Sequence, residues 1–126
     1  MSMKVIRLEL ARDHEFPEGS NEHGYEFIAP LTPDGKLDAA EWKHHRGECR
    51  VTRFWGDEEH ETGLVVRKPG GAWAFHYEGD GDADDEESGY RFNTHVFELG
   101  AYVSIKEDDD KLRAFRVVRI DDAPGH

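Results

Sequence analysis

Three observations predict a mainly β domain. Apolar and polar residues alternate along most of the chain, turn residues recur between the alternating runs, and only one stretch carries helix signals at both ends. The expected architecture is a small single-domain antiparallel β-barrel or roll of about six to seven strands, occupying 1–126, with one short α-helix at about residues 38–46. One helix is too few to cover a parallel α/β sheet, which disfavours that class.

The first strand lies in Lys4–Arg12, where Ile6, Leu8 and Leu10 alternate with Arg7 and Glu9. Asp13–Gly24, rich in glycine, proline, asparagine and charge, reads as a loop. Tyr25–Pro30 is a second strand, ended by the turn Thr32-Pro33-Asp34-Gly35. The helix follows in Leu37–Gly47. Asp38 is its N-cap, Glu41 closes a capping box, and Leu37 and Trp42 stand at the two positions of a hydrophobic staple. Lys43, His44, His45 and Arg46 crowd the last turn, where the helix dipole favours positive charge, and Gly47 suits a left-handed C-terminal position.

Glu48–Trp55 is the next strand, and two hairpins complete the set. Pro69-Gly70 suits a type II turn between Gly63–Lys68 and Gly71–Glu78. Pairing Lys68 with Gly71 places Val66 opposite Trp73 and Leu64 opposite Phe75, on one face with Tyr77. In the second hairpin, Thr94–Lys106 and Lys111–Ile120 flank an acidic turn, with Ile105 opposite Leu112 and Val103 opposite Ala114.

The formal net charge is −12, from 16 basic and 28 acidic residues. Fifteen of the acids fall in three runs, Asp57–Glu61, Glu78–Glu87 and Glu107–Asp110, and outside them basic residues outnumber acidic ones. The negative field therefore belongs to connecting segments, where it suits a basic partner, a cation, or plain solubility. Nucleic-acid binding, which needs a concentrated basic surface, is disfavoured. No stretch is apolar enough for a transmembrane helix, and the first residues lack a signal peptide's apolar segment. With a single cysteine, Cys49, the expectation is a soluble cytoplasmic domain without a disulfide framework.

Four groups of residues are candidates for chemistry. Asp80, Asp82, Asp84 and Glu86 alternate as oxygen ligands of a calcium loop do, but Asp85 stands where an EF-hand needs glycine and Arg91 where it needs glutamate. Eight histidines could serve zinc or a similar cation. His14, His23, His60, His76 and His95 lie near strand ends or in the connecting segments, without a spacing that fixes a geometry. In the second hairpin's register Arg116 interrupts an apolar face, where it needs a small anionic ligand or a buried carboxylate, and with His95 it could line a pocket. A β-bulge near Val117–Val118 would instead turn Arg116 outward and Phe115 and Val117 inward. Cys49 reads as a buried structural thiol, and Trp73, Phe75 and Tyr77 as core.

Two function classes follow. The preferred one is a non-catalytic, acidic binding module for a basic protein partner. The alternative is a metal- or anion-binding small-molecule protein, conceivably a metal-dependent enzyme using histidines and carboxylates of its loops, with calcium or zinc as the divalent cation.

Overall fold

The computed structural model describes residues 3–13, 15–67, 73–77, 90–92, 96–106 and 112–123, with the backbone alone at 90–92. The strands are β1 (Met3–Leu10), β2 (Ser20–Pro30), β3 (Arg50–Trp55), β4 (Glu61–Arg67), β5 (Trp73–Tyr77), β6 (Tyr90–Phe92), β7 (Tyr102–Lys106) and β8 (Leu112–Asp122). Each pairs antiparallel with the next, and β1 also pairs with β8, so the sheet curls round into a barrel. The expected mainly β, single-helix architecture is observed. Its eighth strand, β6, is three residues long and meets β7 at the single described pair Arg91↔Lys106, so this seam is thin.

Both hairpins are paired one residue away from the expected register. Val65 lies opposite Phe75 and Val66 opposite Ala74, so Val65 joins Trp73, Phe75 and Tyr77 inside, while Leu64 and Val66 are half-buried on the other face. In the second, Ile105 lies opposite Arg113 and Val103 opposite Phe115. The connection is thereby one residue longer, Phe115 and Val117 face the core, and Arg116 faces out. Further along β8 the pairing with β1 steps from Leu8↔Val117 to Arg7↔Arg119, leaving Val118 as the extra residue of a bulge.

Rings fill the barrel. Tyr25 packs at 5.1 Å between centroids against both Phe75 and Phe115, and Phe27 at 5.4 Å against Phe75 and 5.8 Å against Phe97. Ile6, Leu8, Val51, Val65, Val103 and Ile105 close the gaps between them. Gly63 faces this interior where β4 and β5 approach closely. A Cβ there would stand 2.1 Å from the His76 carbonyl oxygen, so only glycine fits.

One end of the barrel is closed by the segment between β2 and β3. Leu31 bridges to Leu37, and α1 (Ala39–His44) begins at Asp38, whose carboxylate accepts from the Glu41 amide at 3.1 Å. The capping box forms only by half, because the Asp38 amide donates instead to the Pro30 carbonyl at 2.9 Å. Trp42 is the anchor. Its indole N–H donates to the Val65 carbonyl at 2.9 Å, and its ring meets Trp73 edge-on at 5.5 Å. The helix is shorter than expected. A 3₁₀ turn, Arg46–Glu48, follows it, and Gly47 is absent from the glycines with positive φ.

Candidate functional site

The opposite end of the barrel gathers most of the polar chemistry. There β1 ends at Leu10, β2 begins at Ser20, β3 ends at Trp55, β4 begins at Glu61, β5 ends at Tyr77 and β8 begins at Leu112. The three acidic runs are the connections leaving these strand ends: β3 to β4, β5 to β6, and β7 to β8. The first connection, between β1 and β2, adds Asp13, Glu15 and Glu18 to the same end.

Arg113 is the centre of this end. As an inward-facing residue at the start of β8 it is only 8% exposed, and a buried guanidinium requires counter-charge. The segment between β1 and β2 supplies it: Nη1 donates to Asp13 Oδ2 at 2.5 Å and Nη2 to Glu15 Oε1 at 2.6 Å. Asp13 Oδ1 meanwhile accepts from the Glu15 amide at 2.7 Å, which fixes the turn carrying both carboxylates. Burial pushes the Asp13 carboxyl up. The Glu15 amide and the Arg113 guanidinium outweigh that and hold it below the usual carboxylate range. Burial likewise works against the Arg113 charge, and the two carboxylates overcome it, leaving its pKa raised.

Trp55 is packed from several sides beside this clamp. Phe16 lies 6.3 Å and His23 4.6 Å from it between ring centroids, both edge-on, and Phe16 and His23 are 4.4 Å apart. Two guanidiniums also sit over its ring, Arg53 at 4.3 Å and Arg113 at 5.3 Å. The Nδ1 of His23 is 2.7 Å from the Ser20 hydroxyl, so this histidine belongs to the aromatic packing. Next to the clamp an open cleft of about 920 Å³ is lined by Arg12, Asp13, Glu15, Pro17, Leu112 and Arg113, among others.

Among the described residues, the sequence-derived candidates Arg116, His23, His60 and His76 do not come together into one metal site. Arg116 points outward opposite Tyr102, where it lines an open cleft of about 980 Å³ with Glu9, Arg12 and Ser20; the inward arginine paired with carboxylates is Arg113. His60 is exposed in the β3–β4 connection, and His76 is half-buried opposite Leu64. His14, His95, Asp80, Asp82, Asp84 and Glu86 lie outside the described residues. Among the described residues, no three of histidine, cysteine, aspartate and glutamate stand close enough together to hold a metal ion. Cys49 is fully buried, and desolvation, with the Glu48 charge, pushes its thiol up to about 12.

Arg113, Asp13 and Glu15 were missed as a unit. The signal for them was present as a charged residue at an apolar position, but a one-residue difference in register assigned it to Arg116. Comparisons with protein-family models, with curated proteins and with solved structures find no match to this chain.

Proposed function

We propose that this domain is a non-catalytic binding module whose acidic barrel end receives a basic segment of a partner protein. The observation that carries this reading is topological. Three acidic runs, separate in sequence, leave strands that end on one side of the barrel, while the helix closes the other. Like charge carried by connections that leave one side offers a field that steers a cationic partner. The ring-filled interior supports the same reading, because it leaves the outer surface and the ends for contact.

The test is binding of an oligolysine peptide by calorimetry at low and at physiological ionic strength. Changing Asp80, Asp82, Asp84 and Glu86 to their amides is expected to weaken binding about tenfold or more at low salt. A charge-matched control changes Glu41, Glu98, Asp121 and Asp122, which lie away from that end, and is expected to weaken it much less. Equal losses in the two variants would reduce the effect to net charge and overturn the reading.

A further inference from the structure

In a chain with 28 acidic residues and 16 basic ones, an arginine without a carboxylate is the exception. Arg7, Arg53, Arg113 and Arg119 are ion-paired, and Arg46 and Arg67 lie over the rings of Trp42 and Trp73. Among the described residues, Arg12, Arg50 and Arg116 have neither kind of partner. Arg50 opens β3 at the helix-closed end, whereas Arg12 and Arg116 line the same open cleft of about 980 Å³. The sheet itself opens this cleft. Glu9 pairs with Gly24 but Leu10 with Ser20, so Asn21, Glu22 and His23 are extra residues in β2 where β1 ends. On the other side, Arg116 stands in register between Glu9 of β1 and Tyr102 of β7. Glu9 is engaged elsewhere, its Oε2 accepting from Arg7 Nε at 2.9 Å. Tyr102 is 63% exposed, which leaves a large flat ring open to water beside the two guanidiniums.

A guanidinium presents parallel N–H donors that match a carboxylate or a phosphate, and an exposed ring gains when another flat apolar group covers it. We propose that this cleft binds a small organic dianion, a phosphate monoester or a dicarboxylate. Its anionic groups lie on Arg12 and Arg116, and its flat apolar part lies against Tyr102. Glu18, which also lines the cleft, and the net charge of −12 work against any anion there. They restrict the site to ligands that engage both arginines at once. The cleft lies on the outer face of β1 and β8 and takes the opposite charge from the acidic connections, so the proposal stands whether or not the acidic end binds a basic partner.

The experiment is a ¹H–¹⁵N NMR titration of the full chain with phenyl phosphate, phthalate and inorganic phosphate. Each is added at a constant ionic strength of about 0.15 M, where charges more than about 8 Å apart are largely screened. Phenyl phosphate or phthalate is expected to shift the amides of Leu10, Ala11, Arg12, Tyr102 and Arg116 saturably, with a dissociation constant of about 1–10 mM for so small a ligand. Whichever of the two binds more tightly assigns the anionic group as phosphate or carboxylate. Arg12→Gln and Arg116→Gln are each expected to weaken binding about fivefold or more, and Tyr102→Ala to weaken phenyl phosphate more than inorganic phosphate. Arg50→Gln removes the same charge away from the cleft and should leave binding unchanged. All four side chains are exposed, so the variants keep the fold, and the amides of the helix-closed end report it. No saturable shift with either ring-bearing dianion, or an equal loss in Arg50→Gln, would overturn the proposal. So would equal affinity for inorganic phosphate, since this would leave Tyr102 without a part.

Discussion

Arg113 of β8 reaches Asp13 across a hundred residues of sequence, at 2.5 Å, and the pair joins the barrel wall to the segment that crosses its end. The two halves of this link are not equivalent. Asp13 and Glu15 sit nearer to water, with Glu15 about half exposed, whereas Arg113 is buried. Deleting the carboxylates takes two counter-charges from a buried cation; deleting the arginine leaves anions that water can reach. Asp13→Ala/Glu15→Ala is thus expected to cost about 3 kcal/mol, and Arg113→Met about 1 kcal/mol. Chemical denaturation of both variants checks the order, and a larger loss in Arg113→Met would refute it.

The same pair gives stability a sign on the acid side. Asp13 titrates below its unfolded value, so its contribution is complete above about pH 5 and is lost as pH falls through the ordinary and then the depressed carboxylate range. Thermal midpoints measured from pH 7 to pH 3 should fall less steeply in Asp13→Asn than in the unsubstituted protein. Parallel curves would contradict this.

Cys49 acts at the other extreme of pH. Its thiol is pushed up to about 12 in the folded protein, so the unfolded chain loses that proton first. This costs the native state up to about 1.4 kcal/mol per pH unit above about pH 8.5. Cys49→Ala should show a shallower decline between pH 8.5 and 10, about one and a half units. In the native protein a thiol reagent should react no faster than the domain unfolds; rapid labelling would mean that Cys49 is accessible.

The first hairpin's register can be read from two truncations. Val65 is 1% exposed and faces the rings, while Leu64 is half-buried on the outside. Val65→Ala is expected to cost about 2 kcal/mol and Leu64→Ala less than about 1 kcal/mol, although the second removes more carbon. The reverse order would restore the pairing of Leu64 with Phe75.

These two residues also mark where the sequence stops being legible. Strand positions could be read because alternation and turn residues are local, and the Asp38 cap could be read for the same reason. Register could not. In Leu64-Val65-Val66 both parities are apolar, and in Leu112–Val118 the even series Leu112, Ala114 competes with Phe115 and Val117, so hydrophobicity alone allows either face inward. The site inherits that ambiguity. An arginine at an apolar position was visible, but a one-residue longer connection exchanges Arg113 for Arg116, and Asp13 is too distant in sequence to announce itself as the partner.

The pairing of β1 with β8 bears on how the chain is made. On the ribosome β1 emerges first and can join β2 at once, while its other edge waits for residues 115–122. Through most of synthesis the apolar face of Ile6, Leu8 and Leu10 has no lasting cover on that side. Closure of so distant a pair carries a large loop entropy, so the β1–β8 seam is expected to form late in folding.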